Sequence, residues 1–217
     1  MNANNQHIAI LNSGGLRSLI ATAVSLNDKP RTRASLIYIN DGRDNVVNRA
    51  SYLRLQADYF NIPRIIELDL PHIFAHGYGK NPDGTPMGNI VAPQFLLAAL
   101  AQARLMQAEH LIWPISFNLD HQKIAFATEQ IQLVEHLASL ESPTNPTIRT
   151  PLLELADKQI IELGNQLETP FFNAWSCLTL NPKPCRACPA CLRRKQAFRD
   201  AATTDPSFNP DTASVVK

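Results

Sequence analysis

His7-Ile-Ala-Ile-Leu-Asn12, followed by Ser13-Gly14-Gly15 and then Leu16-Arg17-Ser18, is an apolar run passing through a glycine turn into a helix start. An unbroken apolar run with no polar alternation predicts a strand covered on both faces, which is the habit of parallel sheets. Leu16, Leu19, Ile20, Ala23 and Val24 then recur at helical spacing until Asn27-Asp28-Lys29-Pro30 stops them. The same pairing of strand and helix repeats down the chain. Strands are expected over 34–39, 64–70, 110–115 and 148–153, and helices over 47–60, 93–108 and 120–140. Another helix, with Asp157 placed to cap it, ends near Leu167, and a basic helix covers 189–202. So regular an alternation predicts an α/β fold with a doubly wound, Rossmann-like parallel sheet. Residues 71–90 break the rhythm with seven Gly and Pro residues and read as a long loop of the kind that serves as a lid.

The turn after the first strand is where such sheets hold anions. Backbone N–H groups and a helix N-terminus converge there, and glycines let a phosphate approach the main chain. Ser13, Gly14, Gly15, Arg17 and Ser18 are therefore candidate phosphate-binding residues, with the two serine hydroxyls as added donors. The competing reading is a tight turn with serine caps. Asp41 and Gly42 follow the second strand, where adenosine is met in sheets of this class; an ordinary turn explains them equally.

The composition limits the possible functions. The chain has 217 residues, 45% of them apolar and 18% charged, enough for one good-sized core and a small satellite. Twenty Lys and Arg against nineteen Asp and Glu leave a formal charge of +1, so no global field draws the protein to nucleic acid or to an anionic membrane. Contact with RNA would need a local patch. Lys183, Arg186, Arg193, Arg194, Lys195 and Arg199 form one, read mainly as a solvated face because only Phe198 interleaves with it. Met1–Gln6 has no basic segment followed by an apolar one, and Phe95–Ala101 is far too short to span a bilayer. The expectation is a soluble, cytoplasmic protein with no membrane partner.

All four cysteines fall between Cys177 and Cys191, as C-x7-C-x2-C-x2-C. Thiols so clustered suit a soft metal, whose tetrahedral site needs four thiolates at about 2.3 Å. Pro182, Pro184 and Pro189 stiffen the loops that carry them. A structural Zn²⁺ held by Cys177, Cys185, Cys188 and Cys191 is the leading reading. An iron–sulfur cluster is the second, and disulfides the third, disfavoured in a reducing compartment. A closed four-thiolate site has no open position, so the expected role is structural.

With these residues in view, the chain resembles the PP-loop (N-type) ATP pyrophosphatases, whose loop reads S-G-G-x-D-S. The cysteine spacing resembles one branch of them, 7-cyano-7-deazaguanine synthase of the queuosine pathway. Thr150-Pro-Leu-Leu153 with Asp157-Lys158, and Asp83-Gly84 with Pro86 and Val91-Ala-Pro93, resemble further segments of that family. The resemblance runs over residues 7–200. It implies sheet order 3-2-1-4-5, bound Zn²⁺, ATP with Mg²⁺, a small deazapurine or other carboxylate substrate, and often a homodimer. It implies an ATP-dependent C–N ligase, converting 7-carboxy-7-deazaguanine and ammonia to the nitrile through an acyl-adenylate. It also implies catalytic roles for Lys158, in contact with the phosphate or the acyl-adenylate, and for Asp157, as a catalytic acid; a solvated lysine and a helix cap are the plainer accounts. The domains expected are 1–170 for nucleotide binding, 171–202 for the knuckle and basic helix, and 203–217 as a flexible tail.

Three segments depart from the family pattern. Arg17 stands where the loop has Asp, Gln94-Phe95 where it has Arg-Asn, and Ser116–Gln122 where an acidic substrate segment is expected. Guanidinium cannot bind Mg²⁺ but can pair with phosphate directly. Two further readings follow: a relative with altered chemistry, serving as a binding or partner subunit, and a tRNA-modifying PP-loop enzyme.

Overall fold

A computed structural model describes residues 6–28, 32–42, 45–70, 91–142 and 144–208. The expected lid at 71–90, the Asp83-Gly84 segment and most of the expected tail lie outside them. In chain order the elements are β1 (His7–Leu11), α1 (Leu16–Asn27), β2 (Arg33–Asn40), α2 (Val46–Tyr59), β3 (Ile65–Asp69) and α3 (Val91–Leu105). Then come β4 (His110–Ile112), α4 (His121–Glu141), β5 (Thr147–Arg149), α5 (Asp157–Gln166) and α6 (Pro189–Asp200), with short 3₁₀ turns at Phe171–Asn173 and Pro206–Phe208.

The five strands form one sheet in the order β3-β2-β1-β4-β5, with every pairing parallel. This is the order the resemblance implies. β1 is central and buried along its whole length, and its side chains divide between two cores. Ile8 and Ile10 face Leu19 and Ile20 of α1, Leu53 of α2 and Ile160 of α5; Ala9 and Leu11 face Leu96 and Leu100 of α3 and Val134 of α4. The period of two along a strand makes this division, and it explains why β1 carries no polar residue between His7 and Asn12. Ala197 and Phe198 of α6 join the first of these cores, so the helix that follows the cysteines packs on the sheet domain.

Strands β4 and β5 are shorter than their apolar runs suggest. Each ends just ahead of a proline, Pro114 and Pro151, which cannot donate to a ladder. α3 begins two residues before Pro93, which sits in its first turn where a missing N–H costs nothing. It ends at Leu105, beyond which Gln107 takes a φ of 56°. No helix among the described residues is long and apolar enough to cross a membrane.

Candidate functional site

The turn between β1 and α1 is built from beneath. Asn12 is buried; its carbonyl oxygen Oδ1 accepts the Gly14 N–H at 2.8 Å and its amide donates to Gln56 Oε1 at 2.9 Å. Gln56, also buried, donates to the Asn173 carbonyl at 2.8 Å. Gly14 has φ +69°, and a Cβ there would lie 2.2 Å from the Arg49 carbonyl oxygen of α2. Only glycine permits that approach. Gly14 is therefore buried under the loop, whereas Ser13, Gly15, Arg17 and Ser18 line an open cavity of about 570 Å³. Ser13 donates its N–H to the Ser18 hydroxyl at 3.1 Å, and no side chain caps α1 at Gly15, so the first-turn amides of the helix are open.

Two carboxylates line the same cavity, and both are held by arginine. Asp41, 2% exposed, takes Arg49 Nη1 on both oxygens at 2.9 and 3.0 Å. Asp157 takes Arg17 Nη2 on Oδ1 at 3.5 Å and Arg193 Nη2 on Oδ1 at 2.9 Å, with Arg193 Nε on its other oxygen. Burial and then the Arg193 cation pull the Arg17 pKa below its ordinary value, and Asp157 opposes them. Asp157 does not cap its own helix. Ala156 is the N-cap; the Asp157 N–H donates to Asn118 Oδ1 at 2.9 Å and the Ala156 N–H to Gln159 Oε1 at 2.8 Å. With these amides already satisfied, the carboxylate is left to the two cations.

Lys158 lies on the exposed side of α5, pairs with Glu162 at 3.5 Å and does not line the cavity. Gly42 is exposed, with φ +76°, beside the cavity wall formed by Asp41. Asp120 caps α4 by accepting the Lys123 N–H at 3.2 Å.

The four thiols converge. No disulfide joins Cys177, Cys185, Cys188 and Cys191, and their sulfurs all lie within 4.8 Å of one another. Tetrahedral geometry at a metal–sulfur distance of about 2.3 Å sets sulfurs about 3.8 Å apart; Cys185 and Cys191 are 4.0 Å apart. A single ion fits this donor set. Backbone amides already point at the sulfurs: Cys185 N–H to Cys177 Sγ and Cys188 N–H to Cys185 Sγ, each at 3.3 Å. Burial works against the Cys177 thiolate, but that amide and Thr179 outweigh it and the pKa falls below the ordinary thiol value. The amides of Ala187 and Cys188 lower Cys185 likewise. Burial, with the hydrogen bond to Cys188 second, pushes Cys191 far up.

The knuckle forms one wall of the cavity. Trp175, Leu178, Pro189 and Ala190 line the cavity, while Trp175 packs on Cys177 and Cys191. Asn45, at the start of α2, donates to the Cys177 carbonyl at 2.8 Å. The basic patch is also smaller than its sequence suggests. Arg194 is 4% exposed, forked onto Asp205 at 2.8 and 2.9 Å and bonded to the carbonyls of Phe171 and Ala174. It is a buried clamp, because Asp205 and the ends of those loops supply the partners that a solvated arginine would find in water. Arg49, Trp175 and Arg193 as site residues are the structure's additions. Arg49 sits in a polar helix with nothing distinctive in its spacing; the one available signal for Trp175 is an aromatic two residues before the first cysteine.

The family model described as queuosine biosynthesis protein QueC matches residues 89–202, more than half of the 217. The chain belongs to the QueC family. The match takes in α3, Asp157, the four cysteines and Arg193. The 7-cyano-7-deazaguanine synthase of Chlorobaculum parvum is 26% identical over 216 residues, covering 91% of this chain and 93% of that one. The protein of the same name from Prochlorococcus marinus is 26% identical over 218 residues, covering 91% and 96%. Among solved structures, the U34-tRNA thiolase NcsA of Methanococcus maripaludis superposes with a TM-score of 0.53 at 16% identity, over 90% of this chain and 65% of that one. A 4-thiouridine synthetase solved with RNA and ATP gives 0.50 at 15% identity, over 92% and 51%. At such identities these two share the fold with this QueC-family chain.

Proposed function

We propose that this QueC-family protein is an ATP-dependent C–N ligase that converts a deazapurine carboxylate and ammonia to the nitrile. One observation carries this reading: the open first turn of α1, Arg17 and the apolar walls formed by Phe95 and Trp113 meet in a single cavity at the carboxyl edge of the sheet. A triphosphate would lie along the loop and the purine-like ring against the aromatic walls. ATP makes a carboxylate oxygen a leaving group: the carboxylate takes the α-phosphorus, pyrophosphate departs, and ammonia then displaces AMP. To remove the second oxygen, the amide oxygen takes the α-phosphorus of a second ATP, pyrophosphate departs, and loss of AMP and of both N–H protons leaves the nitrile. The chain's contribution is to hold the reacting groups together and keep water away, an effect of proximity. Both cavity carboxylates among the described residues are committed to arginines, so Mg²⁺ would arrive with the triphosphate. Zn²⁺ would sit on Cys177, Cys185, Cys188 and Cys191, where it would tie the knuckle together, and the active form would be a cytoplasmic homodimer.

The decisive measurement is pyrophosphate release with ATP, 7-carboxy-7-deazaguanine and ammonia, with the nitrile identified by mass. Release that depends on all three supports the reading; no nitrile above background overturns it. The same committed carboxylates also favour a second reading, a partner subunit that binds nucleotide without turning it over. ATP binding by calorimetry with no turnover would establish that one. RNA binding has less support, since Arg194 is buried and Arg193 is engaged at the cavity.

A further inference from the structure

At one end of the cavity two cations share one anion. Arg17 comes from the first turn of α1 and Arg193 from α6, directly after the cysteine knuckle, and both turn to Asp157. The side chains of Arg17 and Arg193 are 33% and 41% exposed, and Asp157 is 16% exposed between them. Nε and Nη1 of Arg17 and Nη1 of Arg193 make no hydrogen bond to any described residue. The cluster therefore has a net charge of +1, three unspent guanidinium nitrogens and the positive end of α1 beside it.

We infer that Arg17 and Arg193, oriented by Asp157, bind the two terminal phosphates of a nucleoside triphosphate, the part that leaves as pyrophosphate. This rests on the cavity being the nucleotide site. Three features select pyrophosphate over the substrate's own carboxylate. Arg17 is the second residue of the helix that follows the Ser13–Gly15 loop, so an anion held by the loop amides continues onto it. Two planar forks arriving from different elements suit an anion with several oxygens on two centres. Asp157 already gives the pair one carboxylate, and charge remains after it. Asp157 is the positioning residue here: it holds both forks toward the cavity and keeps the two cations from repelling each other apart. Because Arg193 is carried two residues after Cys191, the metal knuckle delivers one half of the clamp.

The test is calorimetric titration of the metal-loaded full chain with inorganic pyrophosphate, ATP and AMP. Arg17→Gln and Arg193→Gln should each weaken pyrophosphate and ATP by about tenfold or more, the value of one charge-assisted contact, and leave AMP within about twofold. Arg193→Lys, which keeps charge without the fork, should recover only part of the loss. If Arg193→Gln does not fold, Arg17→Gln at its part-exposed site decides alone. Pyrophosphate binding unchanged in the glutamine variants, or absent from the parent protein, overturns the inference. So does selective weakening of 7-carboxy-7-deazaguanine, which would mean that the pair reads the substrate carboxylate. ATP turnover that ignores both arginines leaves the ligase reading standing and this inference fallen; arginine-dependent pyrophosphate binding without turnover does the reverse.

Discussion

The main-chain N–H of Trp175 donates to the carbonyl oxygen of Gly14 across 2.9 Å, joining the segment that leads into the four-cysteine knuckle to the floor of the β1–α1 turn. The indole of the same residue packs on Cys177 and Cys191 and leans on Tyr52 with ring centroids 5.3 Å apart. Its Nε1 is buried with no hydrogen-bond partner among the described residues. Metal removal is thus expected to reach the loop. Chelation, or Cys188→Ser, should lower the melting temperature by about 10 °C or more and shift Trp fluorescence. It should also abolish ATP binding, and a Trp113→Phe background assigns the fluorescence change to Trp175. An unchanged ATP affinity after verified metal loss would separate the two sites.

Gly14 and Gly42 both have positive φ, but they differ in surroundings. Gly14→Ala drives a methyl into the Arg49 carbonyl, so it should cost about 2–4 kcal/mol and remove nucleotide binding. Gly42→Ala, in an exposed turn, should cost about 1 kcal/mol from backbone strain alone. Urea denaturation of both variants checks the contrast, and equal costs would contradict it.

Arg194 and Asp205 are buried together, and Arg194 holds two backbone carbonyls besides. Asp205→Ala strands that cation in the core and should destabilise by about 3–5 kcal/mol. The double variant Arg194→Met, Asp205→Ala should be less damaged than the sum of the two singles, since it leaves no unpaired charge. Chemical denaturation of the four proteins in the cycle measures the coupling.

His7 supplies a pH dependence. Its Nδ1 lies 3.0 Å from the Met106 carbonyl and 3.4 Å from Arg33 Nη2, and its Nε2 lies 3.0 Å from the Ser35 hydroxyl. Burial, and then Arg33, lower its pKa from 6.5. The unfolded chain therefore binds the proton first as pH falls, and stability should decline once pH drops below about 6.5. The loss continues until the folded-state pKa is reached. His7→Gln should flatten this part of the stability profile, measured as denaturation midpoints between pH 5 and 8.

Lys158 provides the contrasting case. With its ammonium beside Glu162 on an exposed face, Lys158→Ala should change ATP affinity less than twofold and stability by less than about 0.5 kcal/mol. A large loss of turnover in this variant would show that the side chain swings into the cavity during the reaction.

The fold and the metal ligands are legible in the amino-acid chain because each is written in a short window of residues. β1 is an unbroken apolar run, its helix follows at once, and four thiols lie within fifteen residues; local periodicity and donor identity suffice for these. The ends of β4 and β5, two residues ahead of Pro114 and Pro151, are legible too, once the missing donor is weighed above the apolar run. What only the tertiary structure decided is which distant charges meet. Asp157 could serve its own helix or two cations, and the outcome depends on Asn118 and Gln159 having taken its capping task. Arg193 and Arg194 are adjacent and chemically identical, yet the 100° step between successive helical residues turns one to Asp157 and buries the other on Asp205. Coulomb attraction acts through space between partners that chain spacing does not relate, so the sequence determined the scaffold and its four-cysteine cluster, while packing chose the members of the site.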